Sequence, residues 1–131
     1  MKTIVKLSEA PRWIGDVGKN RRIFSLIFDT NETPTINIAA VTSTLPPGND
    51  QGKVSHHDDA EEIYFILSGK GEFLLDDRWF DVEKDTAIYV GPGVGHCCKN
   101  TGDTDLVMFA VCTPSVLGPV HELMKTWEKI E

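Results

Sequence analysis

Positive charge is in short supply in this chain. Thirteen Lys and Arg stand against 20 Asp and Glu, a formal net charge of −7. Without a basic patch to neutralise phosphates, nucleic acid and anionic membrane surfaces are excluded as partners. No apolar run approaches the roughly 20 residues a spanning helix needs. The opening stretch MKTIVKLSEAPRW has no apolar core of signal-peptide length, so a cytoplasmic location is expected. Cysteine is scarce too. Three residues with no CxxC spacing fit reduced thiols better than a disulfide framework.

What is present suits one domain. A chain of 131 residues, 40% hydrophobic and 25% charged, can build its own core. No internal repeat, low-complexity segment or linker divides it, so residues 1–131 are read as one unit.

Short apolar runs separated by turn residues dominate the pattern. Met1 to Leu7 reads as a short strand centred on Ile4 and Val5, and Ala10 to Asn20 as turn-rich because of Pro11, Gly15 and Gly18. Strands are expected over Arg21–Asp29, Thr35–Thr44, Lys53–His57, Glu62–Leu67, Glu72–Leu75, Trp79–Val82, Ala87–Val90, Gly95–Lys99 and Leu106–Thr113. Turn signals every eight to twelve residues point to an all-β sandwich or barrel. The tail differs: Val120, Leu123, Met124 and Trp127 fall at helical spacing, which predicts a short amphipathic helix over Val120–Ile130.

Two stretches carry the chemistry. In GKVSHHDDAEEIYFILSGKG, Gly52 to Gly71, strand alternation puts Ser55 and His57 on one face and His56 on the other. A hairpin across the intervening turn would return Glu62 beside His57. In YVGPGVGHCCKN, Tyr89 to Asn100, the same face of a later hairpin carries His96 and Cys98. Two imidazoles and a carboxylate converging inside a small barrel suit a divalent transition metal.

These stretches resemble the two motifs of the cupin superfamily. The second half of the first motif fits from His57, through Asp58-Asp59-Ala60-Glu61 to Glu62, then Ile63 to Ser68 and Gly69. The second fits Gly91-Pro92-Gly93, Val94-Gly95, His96, Cys97-Cys98-Lys99 and Asn100, with Gly91 in place of the first Pro. A Pro46-Pro47-Gly48 turn of the cupin kind precedes them. The resemblance implies an all-β, double-stranded antiparallel jelly-roll barrel, here with the short C-terminal helix, assembled as a homodimer. It also implies one divalent ion of the Fe, Mn, Ni, Co or Zn type. Where cupins place the first His of His-x-His, this chain has Ser55. The ligand set then shrinks to His57, Glu62 and His96, the make-up of a two-His-one-carboxylate triad with open positions. A strand bulge that swings His56 inward is the alternative.

Among the neighbours, His56 is read as solvated or close to the ligands, and Cys98 as a small buried filler facing the interior, with a ligand or nucleophile as the alternative. Tyr64, on the face of Glu62, is a core filler that can also line the site. Glu62 and Tyr64 are the candidates for handling a proton. His121 is read as a surface residue of the tail, and Trp13, Trp79 and Trp127 as packing anchors. Two functional classes follow. One is a small metalloenzyme acting on a small polar molecule, of the dioxygenase, isomerase, decarboxylase or lyase type, and this is favoured. The other is a non-catalytic module that binds or senses a small ligand. Fold alone does not choose among these reactions.

Overall fold

The structure is a computed structural model that describes residues 3–17, 19–28, 35, 37–48, 52–114 and 125–130. Ten strands, all paired antiparallel, account for most of them: β1 (Arg12–Val17), β2 (Asn20–Phe28), β3 (Ala39–Leu45), β4 (Glu61–Ser68), β5 (Lys70–Leu75), β6 (Arg78–Glu83), β7 (Ala87–Val90), β8 (His96–Asn100), β9 (Leu106–Thr113) and β10 (Glu128–Ile130). They form a seven-stranded sheet in the order β10-β1-β2-β3-β9-β4-β7 and a three-stranded sheet in the order β6-β5-β8.

Cross-strand register shows which face is internal. Phe24 pairs with Ser43, Ser43 with Met108, and Met108 with Ile66, so this row shares one face of the larger sheet. Met108 and Ile66 are buried in a core with Leu45, Ile88, Val90 and Leu106, which also takes Phe73, Val82 and Cys98 from the smaller sheet. That core joins the two sheets into a jelly roll. Burying Leu45, Ile66, Leu106 and Met108, none more than 1% exposed, contributes about 1.5–3 kcal/mol each.

Three of the expected elements need correction. The strand over Met1–Leu7 is absent from residues 3–6. Ile4 is exposed there, and a 3-10 turn occupies Leu7–Glu9. The turn-rich reading of Ala10–Asn20 gives way to β1, whose Gly15 supplies space rather than a break. A Cβ on Gly15 would lie 2.2 Å from the Trp127 ring. The tail is the third. Residues 120–124 of the predicted helix, and with them His121, lie outside the described residues. Residues 125–130 form a turn and β10 instead, pairing Ile130 with Arg12 and Glu128 with Ile14. Backbone hydrogen bonding to the otherwise open edge of β1 offsets the helical pattern there. Trp127 is buried and stacked on Phe24 with ring centroids 5.1 Å apart. It anchors a second core of Leu26, Ala39 and Cys112.

The segment expected as a strand over Lys53–His57 is also irregular. Its backbone hydrogen bonds are split between two elements: Gly52 N donates to Cys98 O and Lys53 N to Val17 O. Only Ser55 forms a full bridge, to His96 on β8, with bonds of 3.0 and 2.8 Å. Among the described residues no helix is long and apolar enough to cross a membrane.

Candidate metal centre

Each of the three site residues is fixed by a different piece of backbone. Glu62 lies on β4, two residues before Tyr64 and four before Ile66, so alternation turns it inward. Neighbouring β9 and β7 place Cys112 and Val90 opposite it, and it is buried. His96 opens β8 and shares its inner face with Cys98 and Asn100. His57 comes from the loop, held where Gly93 N donates to His57 O at 3.0 Å. The Gly-Pro-Gly turn therefore positions the first motif's histidine as well as the second's. Asn100, the last residue of that motif, has a structural task. Its amide donates to Leu45 O and Thr104 O while Gly102 N donates to its Oδ1, which locks the β8–β9 turn.

The three side chains meet. His57 Nε2 lies 3.3 Å from Glu62 Oε1, and His96 Nε2 lies 3.5 Å from Glu62 Oε2. One donor atom from each falls within 4.8 Å of the others. His96 Nδ1 is 3.1 Å from Val94 O. A carbonyl can only accept, so Nδ1 donates to it and Nε2 is the nitrogen turned toward the group. Burial pushes the His57 imidazole below the ordinary histidine value, against the pull of Glu62, and keeps it neutral at pH 7. Two imidazole nitrogens and a carboxylate suit a divalent transition ion. The residues present fit such a metal.

The flanking residues are sorted as clearly. Tyr64 donates to Glu62 Oε2 at 2.5 Å. Burial, with the Glu62 charge and this hydrogen bond, pushes its phenol well above the usual tyrosine range, so it remains a proton donor. The Ser55–His96 bridge sets Ser55 opposite His96. His56 is outside the group: it is exposed, with Nδ1 3.0 Å from Asp58 Oδ1. Cys98 is buried in the core and not among the three converging ligands. Cys97, Cys98 and Cys112 are all buried thiols outside any disulfide.

One charged residue of the interior escapes the sequence reading. Arg22 sits on β2 and is 9% exposed. Its phase with Phe24 and Leu26 in RRIFSLIFD is the available signal, a cation in step with an apolar face.

The cupin-domain family pattern matches residues 41–112, more than half of the chain, and takes in all three converging residues. The chain belongs to the cupin family. Relatives of this cupin include an uncharacterised protein of Methanocaldococcus jannaschii, 31% identical over 57% of this chain and 60% of its own. An oxalate-binding protein of Thermotoga maritima is 36% identical over 51% of this chain and 54% of its own. A glucose-6-phosphate isomerase of Pyrococcus horikoshii is 38% identical over 40% of this chain and 31% of its own. The match thus spans less than two thirds of the length of each. In fold, this cupin is similar to a Thermotoga maritima structure described as a predicted oxalate decarboxylase, with a TM-score of 0.77 at 22% identity, covering 86% of this chain and all of that one. It is also similar to the polyketide cyclase RemF of Streptomyces resistomycificus, with a TM-score of 0.76 at 16% identity, covering 88% and 81%.

Proposed function

We propose that this cupin is a metal-dependent enzyme in which His57, Glu62 and His96 hold one divalent ion of the Fe, Mn, Ni, Co or Zn type. A small polar molecule would react beside it, in a dioxygenase, isomerase, decarboxylase or lyase type of step. The observation that carries this reading is the approach of two imidazole Nε2 atoms to the two oxygens of one buried carboxylate. When bound, the ion supplies Lewis acidity at coordination positions the protein leaves open. Around it, Glu62 is oriented by Tyr64, whose phenol is kept protonated and is placed to give a proton. His57, with a quarter of its side chain exposed, stands on the solvent side of the group, and buried His96 on the inner side.

A second reading, a non-catalytic module that binds a small ligand, draws support from the relative named as oxalate-binding. The isomerase among the relatives favours catalysis, so their names do not choose the reaction. The reading includes one cupin domain over residues 1–131, a cytoplasmic location in keeping with reduced cysteines, and a homodimer. For the dimer, Ile63, Phe65, Leu67 and Tyr89 offer an exposed apolar strip on the outer face of β4 and β7. Elemental analysis of protein purified without chelators or added metal tests the reading. About one transition ion per chain supports it. A chain that remains metal-free after incubation with each of these ions contradicts it.

A further inference from the structure

Arg22 is the single buried Lys or Arg among the described residues, and it has no acidic partner there. Strand register turns it inward: it lies two residues before Phe24, which pairs with Ser43 on the internal face. Its contacts are all neutral. Nε and Nη2 donate to Asn20 Oδ1 at 3.0 and 2.7 Å, Nη1 reaches Ser43 Oγ at 3.4 Å, and Nη2 reaches Cys98 Sγ at 3.7 Å. Nη1 carries two hydrogens and finds one long contact, so a donor is left over among the described residues. Asn20, fully buried, is itself fixed by donating to Cys98 O at 3.1 Å. The guanidinium is thus held by neutral groups of β2, β3 and β8, with the Phe24 ring 5.8 Å away, and has no counter-charge among the described residues.

A buried charge with neutral partners costs more than a paired one, and the Nη1 hydrogen left over can give a charge-assisted hydrogen bond to a carboxylate. The position also matters. Cys98 follows His96 by two residues on the same face of β8, and the charge of Arg22 acts on Tyr64, which in turn bonds Glu62. Arg22 and the metal group therefore belong to one interior. The buried charge of Arg22, with no acidic partner among the described residues, itself favours an anion beside it.

We propose that Arg22 is the carboxylate-binding group of this interior. The molecule taken beside His57, Glu62 and His96 is a small carboxylate whose acid group pairs with Arg22, its other oxygen function facing the triad. This rests on the metal-enzyme reading only for where that second function points. A phosphate is the poorer fit, because phosphate sites gather several cations or a helix N-terminus, and here a single guanidinium is buried.

Calorimetric titration of the whole chain with oxalate, malonate and succinate tests this, with malonamide and inorganic phosphate as contrasts and metal content measured on each sample. The wild type should bind at least one dicarboxylate, with malonamide and phosphate weaker. Arg22→Met should weaken that binding about 10- to 100-fold, the worth of a hydrogen bond to a charged group, while metal content holds. Arg22→Lys keeps the charge without the guanidinium geometry that holds the Nη1 donor in place and should fall between; where Arg22→Met does not fold, a loss in Arg22→Lys decides. Equal binding in wild type and variant, no binding of any dicarboxylate, or tighter binding of malonamide or phosphate would overturn the assignment. Should no metal bind while dicarboxylate binding still depends on Arg22, the metal reading fails and this one stands.

Discussion

The Tyr64 hydroxyl donates to Glu62 Oε2 at 2.5 Å, and the same oxygen faces His96 Nε2 at 3.5 Å. Tyr64 thus holds the carboxylate in the orientation that presents it to both histidines. Removing the hydroxyl deprives a buried carboxylate of a donor, and hydrogen bonds to charged groups are worth about 1.5–3 kcal/mol. Tyr64→Phe should lower the stability of the metal-free protein by that order in urea unfolding. An unchanged midpoint and slope would show that the contact is incidental.

Acid should weaken the fold through His57. Its folded pKa is depressed, chiefly by burial, below the value of about 6.5 that it regains on unfolding. The unfolded chain then binds the extra proton first, so stability is complete above about pH 6.5 and falls as pH drops toward the folded value. Thermal midpoints of metal-free protein from pH 7.5 to 5 should decline, and less steeply in His57→Asn. Identical slopes in the two proteins would remove His57 as the cause.

The middle of the fold was legible in the sequence and its ends were not. Strands such as Ala87–Val90 and Leu106–Thr113 match their expected limits because alternation is a local property. β10 exists through β1, which β2 pairs along its whole length: Gly15 makes room for Trp127, and the tail stretch does not carry that information alone. At the site, the motif spacing singles out His57, Glu62 and His96, but the hairpin expected between the first two is absent from the described residues: His57 is placed by the Gly93 N to His57 O bond and Glu62 by β4 between β7 and β9. Near the start of the Arg21–Asp29 run a cation is ordinarily solvated, so the pattern does not mark Arg22 as buried. Only the register against Ser43 turns it inward.

Ser55 and His56 separate two forms of the first motif. Ser55 bridges His96 and so sits opposite a site residue, whereas His56 is exposed beside Asp58. Ser55→His should add a fourth ligand, tighten metal binding about tenfold or more and reduce any activity that needs an open position. His56→Ala should leave metal affinity unchanged. Competition with a chromophoric chelator measures both, and loss of metal in His56→Ala would reverse the assignment.

The exposed strip of Ile63, Phe65, Leu67 and Tyr89 is the surface on which a dimer would form. Sedimentation at micromolar concentration should give twice the chain mass, and Ile63→Glu should shift it toward the monomer. A monomeric wild type would contradict the assembly.

Metal content of His96→Ala beside the wild type tests the central claim most directly. His96 is buried against Glu62, yet the apolar core of Leu45, Ile66, Leu106 and Met108 does not depend on it. Both proteins should fold, with strand-type circular dichroism unchanged. The wild type should carry about one divalent transition ion per chain and His96→Ala only a small fraction of it. Equal occupancy in the two proteins would contradict a site built from His57, Glu62 and His96.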